Sequence, residues 1–216
     1  MFGHFYSVIV APKRVIECRS VLEIVHSESA PLLAASLAHR TPDAVLIMMN
    51  PGSSRPMTAI DNRIQRRAMH RLPVSLVPAK PDTTQYQIMR LMHFCEWKHV
   101  RILNLSDLRC SRSNEFFRQF RELETETAYE EHSIFAPQRQ EELAQKLVGN
   151  VPVIRAWGVS PHLNPLIDRS LRGRPETTAD KGLLKAGTTN KFLHPLPSLQ
   201  SQKRAWLNRM VEQCRG

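Results

Sequence analysis

The chain has 216 residues, 42% of them hydrophobic, and its 30 lysines and arginines against 20 acidic residues give a formal net charge of +10. This length suits one domain with a substantial core, so we predict a single α/β domain over residues 1–216. The sequence has no apolar run near the ~20 residues of a membrane helix, and no basic region precedes the apolar residues at its start. We therefore expect a cytoplasmic protein without membrane contact, whose oligomeric state the sequence leaves open.

The positive charge predicts an anionic partner, nucleic acid first and DNA ahead of RNA. General solubility is the alternative explanation. Five arginines share a segment whose only acid is Asp61, whereas acidic residues concentrate over 115–142. The predicted nucleic-acid-binding residues are Arg55, Arg63, Arg66, Arg67 and Arg71.

The four cysteines are scattered, with no CxxC motif and no Cys/His pairing; they are Cys18, Cys95, Cys110 and Cys214. This argues against a zinc site and against a disulfide scaffold. We expect reduced thiols, no bound metal and no cofactor.

In chain order, the first half predicts strands around 5–10 and 15–24, a short helix from Ser29 to about His39 with Pro31 in its first turn, and a strand over 44–49. Residues 50–82 are proline-rich and are predicted to be irregular, with a basic turn or helix over 60–70. We treat about 55–81 as a basic insertion.

The second half predicts alternating helices and strands, with a loop-like, mobile stretch at about 172–191. Predicted helices begin at Asp82 and Ser113 and cover 138–148, 162–171 and 199–214. Predicted strands cover 100–104, 151–156 and 192–193. This alternation favours a three-layer α/β sandwich with a mainly parallel central sheet.

Polar clusters follow the predicted buried strands. Ligands of open parallel sheets lie beyond the carboxyl ends of the strands. We therefore expect one pocket, with Asn50, Asn104, Trp157 and His194 at one rim.

The first cluster is Asn50, Pro51, Gly52, Ser53 and Ser54. Proline and glycine favour a tight turn that presents backbone N–H groups and hydroxyls to an anion or a carbonyl oxygen, and Asn50 can both donate and accept. An ordinary strand-to-loop turn is the alternative.

The second cluster contains Asn104, Asp107 and Arg109. Arg109 either pairs with Asp107 at the base of the loop or faces an anionic ligand. Both interpretations stay open at this point.

The later clusters contain Trp157 with Gly158, and His194 between an apolar pair and prolines. Trp157 is either a core residue or a stacking surface for a planar ring, and Gly158 permits close approach to the backbone. His194 is either structural or a proton donor and oxyanion stabiliser held at a strand end.

Together these residues resemble a family of bacterial and phage domains of unknown function with the pattern M-N-P-S, D-x-T, N-L-x-x-x-R, W-G and H-P-L. The matches are Met49-Asn50-Pro51, Asp82 with Thr84, Asn104-Leu105 with Arg109, Trp157-Gly158 and His194-Pro195-Leu196. Gly52 replaces the serine of the family, and the arginine-rich stretch between Ser54 and Pro81 is an insertion. The family implies no activity.

A more distant resemblance is to uracil-DNA glycosylase-like enzymes, which are α/β sandwiches with an N-P-G loop after the first core strand and a late H-P-S loop. Here the corresponding residues are Asn50-Pro51-Gly52, Trp157-Gly158 and His194 to Ser198. The resemblance implies that Asn50 orients the attacking water and that His194 stabilises the leaving base. An aromatic residue to stack a flipped base is missing directly after Pro51.

The sequence therefore predicts a pocket that binds nucleic acid, a nucleotide or a nucleobase, with Asn50 and His194 as candidate catalytic residues of an N-glycosidic hydrolase. The remaining candidate ligand-binding residues are Pro51, Gly52, Ser53, Ser54, Asp82, Asn104, Arg109, Trp157 and Gly158. The alternative is a binding module without catalysis.

Overall fold

A computed structural model describes residues 1–26, 34–37, 39–71, 74–147, 149–174, 177 and 180–215. The strands in these residues are β1 (Phe2–Ala11), β2 (Arg14–Val25), β3 (Ala44–Met48), β4 (Arg55–Pro56), β5 (Arg63–Gln65), β6 (Val77–Lys80), β7 (His99–Asn104), β8 (Val153–Arg155) and β9 (Asp180–Lys181). The α-helices are α1 (Ala34–Leu37), α2 (Thr83–Phe94), α3 (Ser113–Thr127), α4 (Gln140–Lys146), α5 (Asn164–Gly173) and α6 (Gln200–Arg215). Short 3-10 helices cover Arg66–Arg71, Glu130–His132, Pro137–Arg139 and Pro161–Leu163.

All of these strands belong to one mixed sheet, in the order β4-β6-β1-β2-β7-β3-β8-β9, with β5 also beside β1. Strands β7, β3, β8 and β9 are mutually parallel, whereas β2 joins both β1 and β7 in antiparallel pairs. The prediction of a mainly parallel sheet is therefore wrong for the sheet as a whole. The cause is the tight turn at Pro12 and Lys13, because so short a connection joins only antiparallel strands.

The prediction of an α/β domain with helices on both faces of a sheet is confirmed. Successive side chains of a strand point to opposite faces, so Val45 and Ile47 of β3 enter one core while Leu46 and Met48 enter the other. Helices α3, α4 and α5 cover the first face, and α2 and α6 cover the second. We call these the α3 face and the α2 face.

The stretch predicted to be irregular over 50–82 instead widens the sheet. Strands β5 and β6 both pair with β1, and β4 pairs with β6. These strands are only two to four residues long and contain Pro56 and Pro78, which breaks the pattern by which strands are recognised. The basic segment is thus an extension of the sheet.

The predicted helices are present with ends shifted by at most a few residues. Asp82 caps α2 in a reciprocal capping box with Gln85, as its position in the sequence predicts. The predicted helix start at Ser29 and Pro31 lies outside the described residues. No helix in the described part of the chain is both long and apolar enough to cross a membrane.

The predicted strand over 192–193 is reduced to isolated bridges, in which Phe192 pairs with Gly158 and Leu184. The described part of the stretch predicted to be mobile contains β9. There Asp180 accepts hydrogen bonds from Arg155 at 2.6 Å and from Arg174 at 2.6 and 2.7 Å. The mobility of 172–191 stays a prediction.

Candidate functional site

A polar pocket of about 250 Å³ lies beyond the carboxyl ends of β3 and β7. Strand β7 follows β3 in the parallel part of the sheet and lies on one side of it, whereas β8 lies on the other side. A ligand is expected at such a reversal of strand order. The lining residues are Arg19, Met48, Met49, Asn50, Pro51, Gly52, Ser53, Asp82, Thr83, Thr84, Gln85, Asn104, Cys110, Ser111, Ser113, His194 and Leu196.

Seven residues that the sequence predicted for one site line this pocket. They are Asn50, Pro51, Gly52, Ser53, Asp82, Asn104 and His194. A larger cleft of about 680 Å³ lies between the ends of β2, α2 and α6. Of the described residues that line this cleft, none has a buried polar atom without a partner, so we place the candidate site in the smaller pocket.

Asn104, the last residue of β7, has an unsatisfied side chain. The residue is 1% exposed, and no described residue offers a partner to either Oδ1 or Nδ2. Buried amides almost always form hydrogen bonds, because an unpaired group costs about 1–3 kcal/mol. Because Asn104 lines the pocket, its amide is available to a polar group that enters the cavity.

Arg19 is a site residue that the sequence analysis missed. It is 1% exposed on β2, its Nη1 donates to the Pro51 carbonyl at 3.5 Å, and its Nε lacks a partner. No described carboxylate forms an ion pair with it. Burial lowers the pKa of its guanidinium to about 10, so the group is still charged at neutral pH. The only sequence signal was an arginine inside the largely apolar β2, between Cys18 and Ser20.

Asn50 joins the two site loops. Its Nδ2 donates to the carbonyls of Leu108 at 3.3 Å and Cys110 at 2.7 Å. Both hydrogens of the amide are therefore used, and the oxygen Oδ1 is the atom left to accept a hydrogen bond in the pocket.

The loop after Asn50 is held by Asp82 at the start of α2. Gly52 adopts φ +64°, and a Cβ there would lie 3.2 Å from Oδ2 of Asp82. Ser53 donates to that same oxygen at 3.5 Å. The other oxygen of Asp82 accepts the N–H groups of Thr84 and Gln85. Asp82 thus shapes the pocket while it caps the helix.

His194 faces the pocket as a neutral imidazole. Burial lowers the pKa of its ring, and the Leu196 N–H donates to Nδ1 at 3.2 Å. An accepting Nδ1 carries no proton, so the neutral ring has its proton on Nε2. This leaves one hydrogen-bond donor for a ligand.

Trp157 and Gly158 are not among the residues that line this pocket. Trp157 is fully buried in the core of the α3 face, with Nε1 donating to the Asn190 carbonyl at 3.0 Å and its ring edge-on to Phe192. Gly158 has φ +100° and donates to the Phe192 carbonyl. The core interpretation of Trp157 is the one that the structure supports.

Ser54 and Arg109 are also placed beside the pocket rather than in its lining. Ser54 is buried, and its carbonyl accepts from Nε of Arg109 at 3.1 Å. Arg109 lines a neighbouring groove and contacts Glu17 at 3.5 Å. Asp107 pairs with Arg139 at 2.7 Å instead, so the proposed Asp107–Arg109 pair is not formed.

The predicted nucleic-acid-binding arginines differ in their surroundings. Arg55, Arg63 and Arg67 are exposed. Arg66 is not available to bind nucleic acid, because its guanidinium donates to the Thr127 and Ala128 carbonyls at the end of α3 and pairs with Glu131 at 3.2 Å. The side chain of Arg71 lies outside the described residues.

A Ser–His–Glu chain lies on the α3 face and was not predicted. Ser106 contacts Nδ1 of His132 at 2.8 Å, and Nε2 of His132 contacts Glu124 at 2.9 Å. Burial alone would raise the pKa of Glu124, but hydrogen bonds from His132 and Arg169 lower it to about 2. Ser106 is completely buried, so its hydroxyl is not accessible to a substrate. This series of hydrogen bonds is therefore structural.

In the described part of the chain, no three His, Cys, Asp or Glu side chains are grouped so that they could hold a metal ion. In comparisons with known proteins, no family model, curated protein or solved structure matches the chain. The two resemblances therefore rest on the quoted motifs alone.

Proposed function

We propose that this pocket binds a nucleotide or nucleobase, on the fold plan of a uracil-DNA glycosylase-like α/β sandwich. The unsatisfied amide of Asn104 is the observation that carries the proposal. A carboxamide presents a donor and an acceptor side by side, which matches the adjacent donor and acceptor on the edge of a base. Burial makes the match selective, because a ligand without those groups would leave the amide unpaired.

Two neighbouring groups complement this assignment. The oxygen of Asn50 and the Nε2–H of the neutral His194 both belong to side chains in the pocket lining. The former accepts a hydrogen bond and the latter donates one. A planar heterocycle with several polar edges uses all three side chains.

The test is calorimetric titration of the protein with free bases and nucleosides, with Asn104→Leu as the variant. Binding should weaken about 10- to 100-fold in this variant, because the donor and the acceptor on the edge of the base then lose the amide with which they pair. Asn208→Leu, at an exposed position of α6 outside the pocket lining, is the matched control. If neither bases nor nucleosides bind the wild-type protein, the proposed function is wrong.

A second candidate function is cleavage of an N-glycosidic bond, which the neutral His194 favours. A neutral donor aimed at a departing base stabilises the developing charge, and an amide oxygen such as Oδ1 of Asn50 can orient a water for attack. In that reaction water adds to the sugar carbon as the bond to the base nitrogen breaks, and the base leaves with a proton.

Single-turnover assays on oligonucleotides with deaminated or mismatched bases test this candidate. Release of free base and an abasic site, lost in Asn50→Ala and His194→Ala, is the expected result. Uncut oligonucleotides, with base binding retained, would leave a binding module without catalysis.

A further inference from the structure

Two features of the pocket, one buried and one exposed, share an affinity for negative charge. One is the guanidinium of Arg19, and the other is the amino end of α3, whose residue Ser113 lines the pocket. They come from different parts of the chain and meet at the same cavity.

Arg19 forms no ion pair with a described carboxylate, although the charges of Asp82 and Asp107 offset part of the cost of its burial. An arginine removed from water is costly unless a carboxylate or several carbonyls compensate it. Arg19 has one long hydrogen bond to Pro51 and an unpartnered Nε. The nearest acid of the lining, Asp82, is occupied by α2 and Ser53. A guanidinium in this state fits an anion that enters with the ligand.

Helices α2 and α3 both begin at the pocket, but only one amino end is occupied. The side chain of Asp82 accepts the first N–H groups of α2. At α3, the N-cap position is held by Arg112, and no described side chain caps the helix. Uncapped N–H groups and the helix dipole favour an anion there.

Hydroxyl groups complete this part of the lining. They belong to Thr83, Thr84, Ser111 and Ser113. A phosphate has more acceptor oxygens than a carboxylate and so uses more of these donors. The number of donors therefore favours phosphate.

We propose that Arg19 and the amino end of α3 bind the phosphate of the ligand, so that the pocket takes nucleotides in preference to nucleosides and bases. This inference rests on the proposed function for the base half of the ligand. The evidence for phosphate binding comes from Arg19 and α3 alone. Binding of the base and binding of the phosphate are tested separately.

The experiment is calorimetric titration of the full chain with four probes: nucleosides, the matching ribo- and deoxyribonucleoside 5′-monophosphates, ribose 5-phosphate, and acetate. The variants are Arg19→Met, Arg19→Lys and, as a control on the exposed surface of α6, Arg204→Met. Circular dichroism checks that each variant is folded.

We expect monophosphates to bind the wild type about 10- to 100-fold more tightly than nucleosides, as a charged hydrogen bond implies. The preference should disappear in Arg19→Met, persist in part in Arg19→Lys and be unchanged in Arg204→Met. Ribose 5-phosphate should compete in an Arg19-dependent manner.

The outcomes separate the two proposals. Equal affinity for nucleosides and monophosphates, unaffected by Arg19→Met, overturns the phosphate site and leaves the proposed function intact. Arg19-dependent binding of ribose 5-phosphate without any binding of nucleosides supports the phosphate site and overturns the proposed function. Acetate binding more tightly than ribose 5-phosphate overturns phosphate as the anion.

Discussion

Two fully buried arginines of the same sheet have opposite surroundings. Arg101 on β7 donates to Glu23 at 2.7 Å and to the carbonyls of Lys146, Leu37 and Arg40 at 2.9 to 3.2 Å. Among the described residues, the guanidinium of Arg19 on β2 has one hydrogen bond, of 3.5 Å, to the Pro51 carbonyl. The first arginine is compensated within the fold, and the second faces a cavity. Burial alone therefore does not distinguish an arginine that stabilises the fold from one that is available to bind a ligand. The hydrogen-bond partners of the guanidinium make that distinction.

The largest expected effect is the loss of stability in Arg101→Met, and Arg19→Met is its comparison. Arg101→Met should lower the free energy of unfolding by about 3–5 kcal/mol, because Glu23 is then buried with a single partner, His99. Arg19→Met should change it by less than about 1 kcal/mol, since no ion pair is lost. Urea unfolding at pH 7 measures both. Equal losses in the two variants would contradict the comparison.

A buried histidine extends the comparison to pH. Burial lowers the pKa of His4 to about 4, and its Nδ1 contacts Ser20 at 2.7 Å. Unfolded, the ring binds a proton near pH 6.5, so stability should fall as the pH drops from about 6.5 to 4, by up to about 3 kcal/mol.

Urea unfolding across this pH range should show a smaller decline for His4→Gln than for wild type. His93→Gln, at an exposed position, should follow the wild type. A His4→Gln curve parallel to that of the wild type would show that His4 is not the titrating group.

The two pocket asparagines sharpen the comparison further. The side chain of Asn104 has no partner among the described residues, so Asn104→Leu should stabilise the protein by about 1 kcal/mol while it weakens base binding. Asn50→Leu should destabilise it by about 1–2 kcal/mol, because two backbone carbonyls lose their donor. Thermal unfolding without ligand distinguishes the variants. A destabilised Asn104→Leu would indicate a partner within the protein.

The smallest effect per residue is expected for nucleic-acid affinity, when arginines of the basic extension formed by β4 to β6 are replaced. If it binds nucleic acid, replacing Arg55, Arg63 and Arg67 by alanine should reduce the slope of log affinity against log salt by up to about 3. Arg66→Ala should leave the slope unchanged, because this side chain is committed to α3. Gel shifts at several salt concentrations measure the slope. No shift of wild-type protein at low salt would make the basic charge a surface property.

The convergence of Asn50, Asn104 and His194 could be predicted because it depends on local signals. Continuous apolar runs identify β3 and β7 as strands buried on both faces, and parallel strands bring their carboxyl ends to one edge. The start of α2 at Asp82 was predictable for the same reason, since a capping box lies within four consecutive residues.

Trp157 and Arg19 were decided by tertiary structure. Which face of the sheet a strand-end residue meets depends on register. Trp157 therefore enters the core of the α3 face although its neighbours in the motif pattern reach the pocket. Arg19 reaches the pocket because the initial hairpin adds β2 beside β7 in antiparallel register.

By itself, the sequence determined the α/β class, the order of the central elements and the polar character of the loops after β3 and β7. These properties are recorded in apolar periodicity and turn chemistry over a few residues. The mixed sheet, the extension by β4 to β6 and the placement of the Arg19 charge in the pocket depend on pairing between distant segments. Such pairing is determined by packing and hydrogen bonding across the whole sheet, and no local pattern carries it.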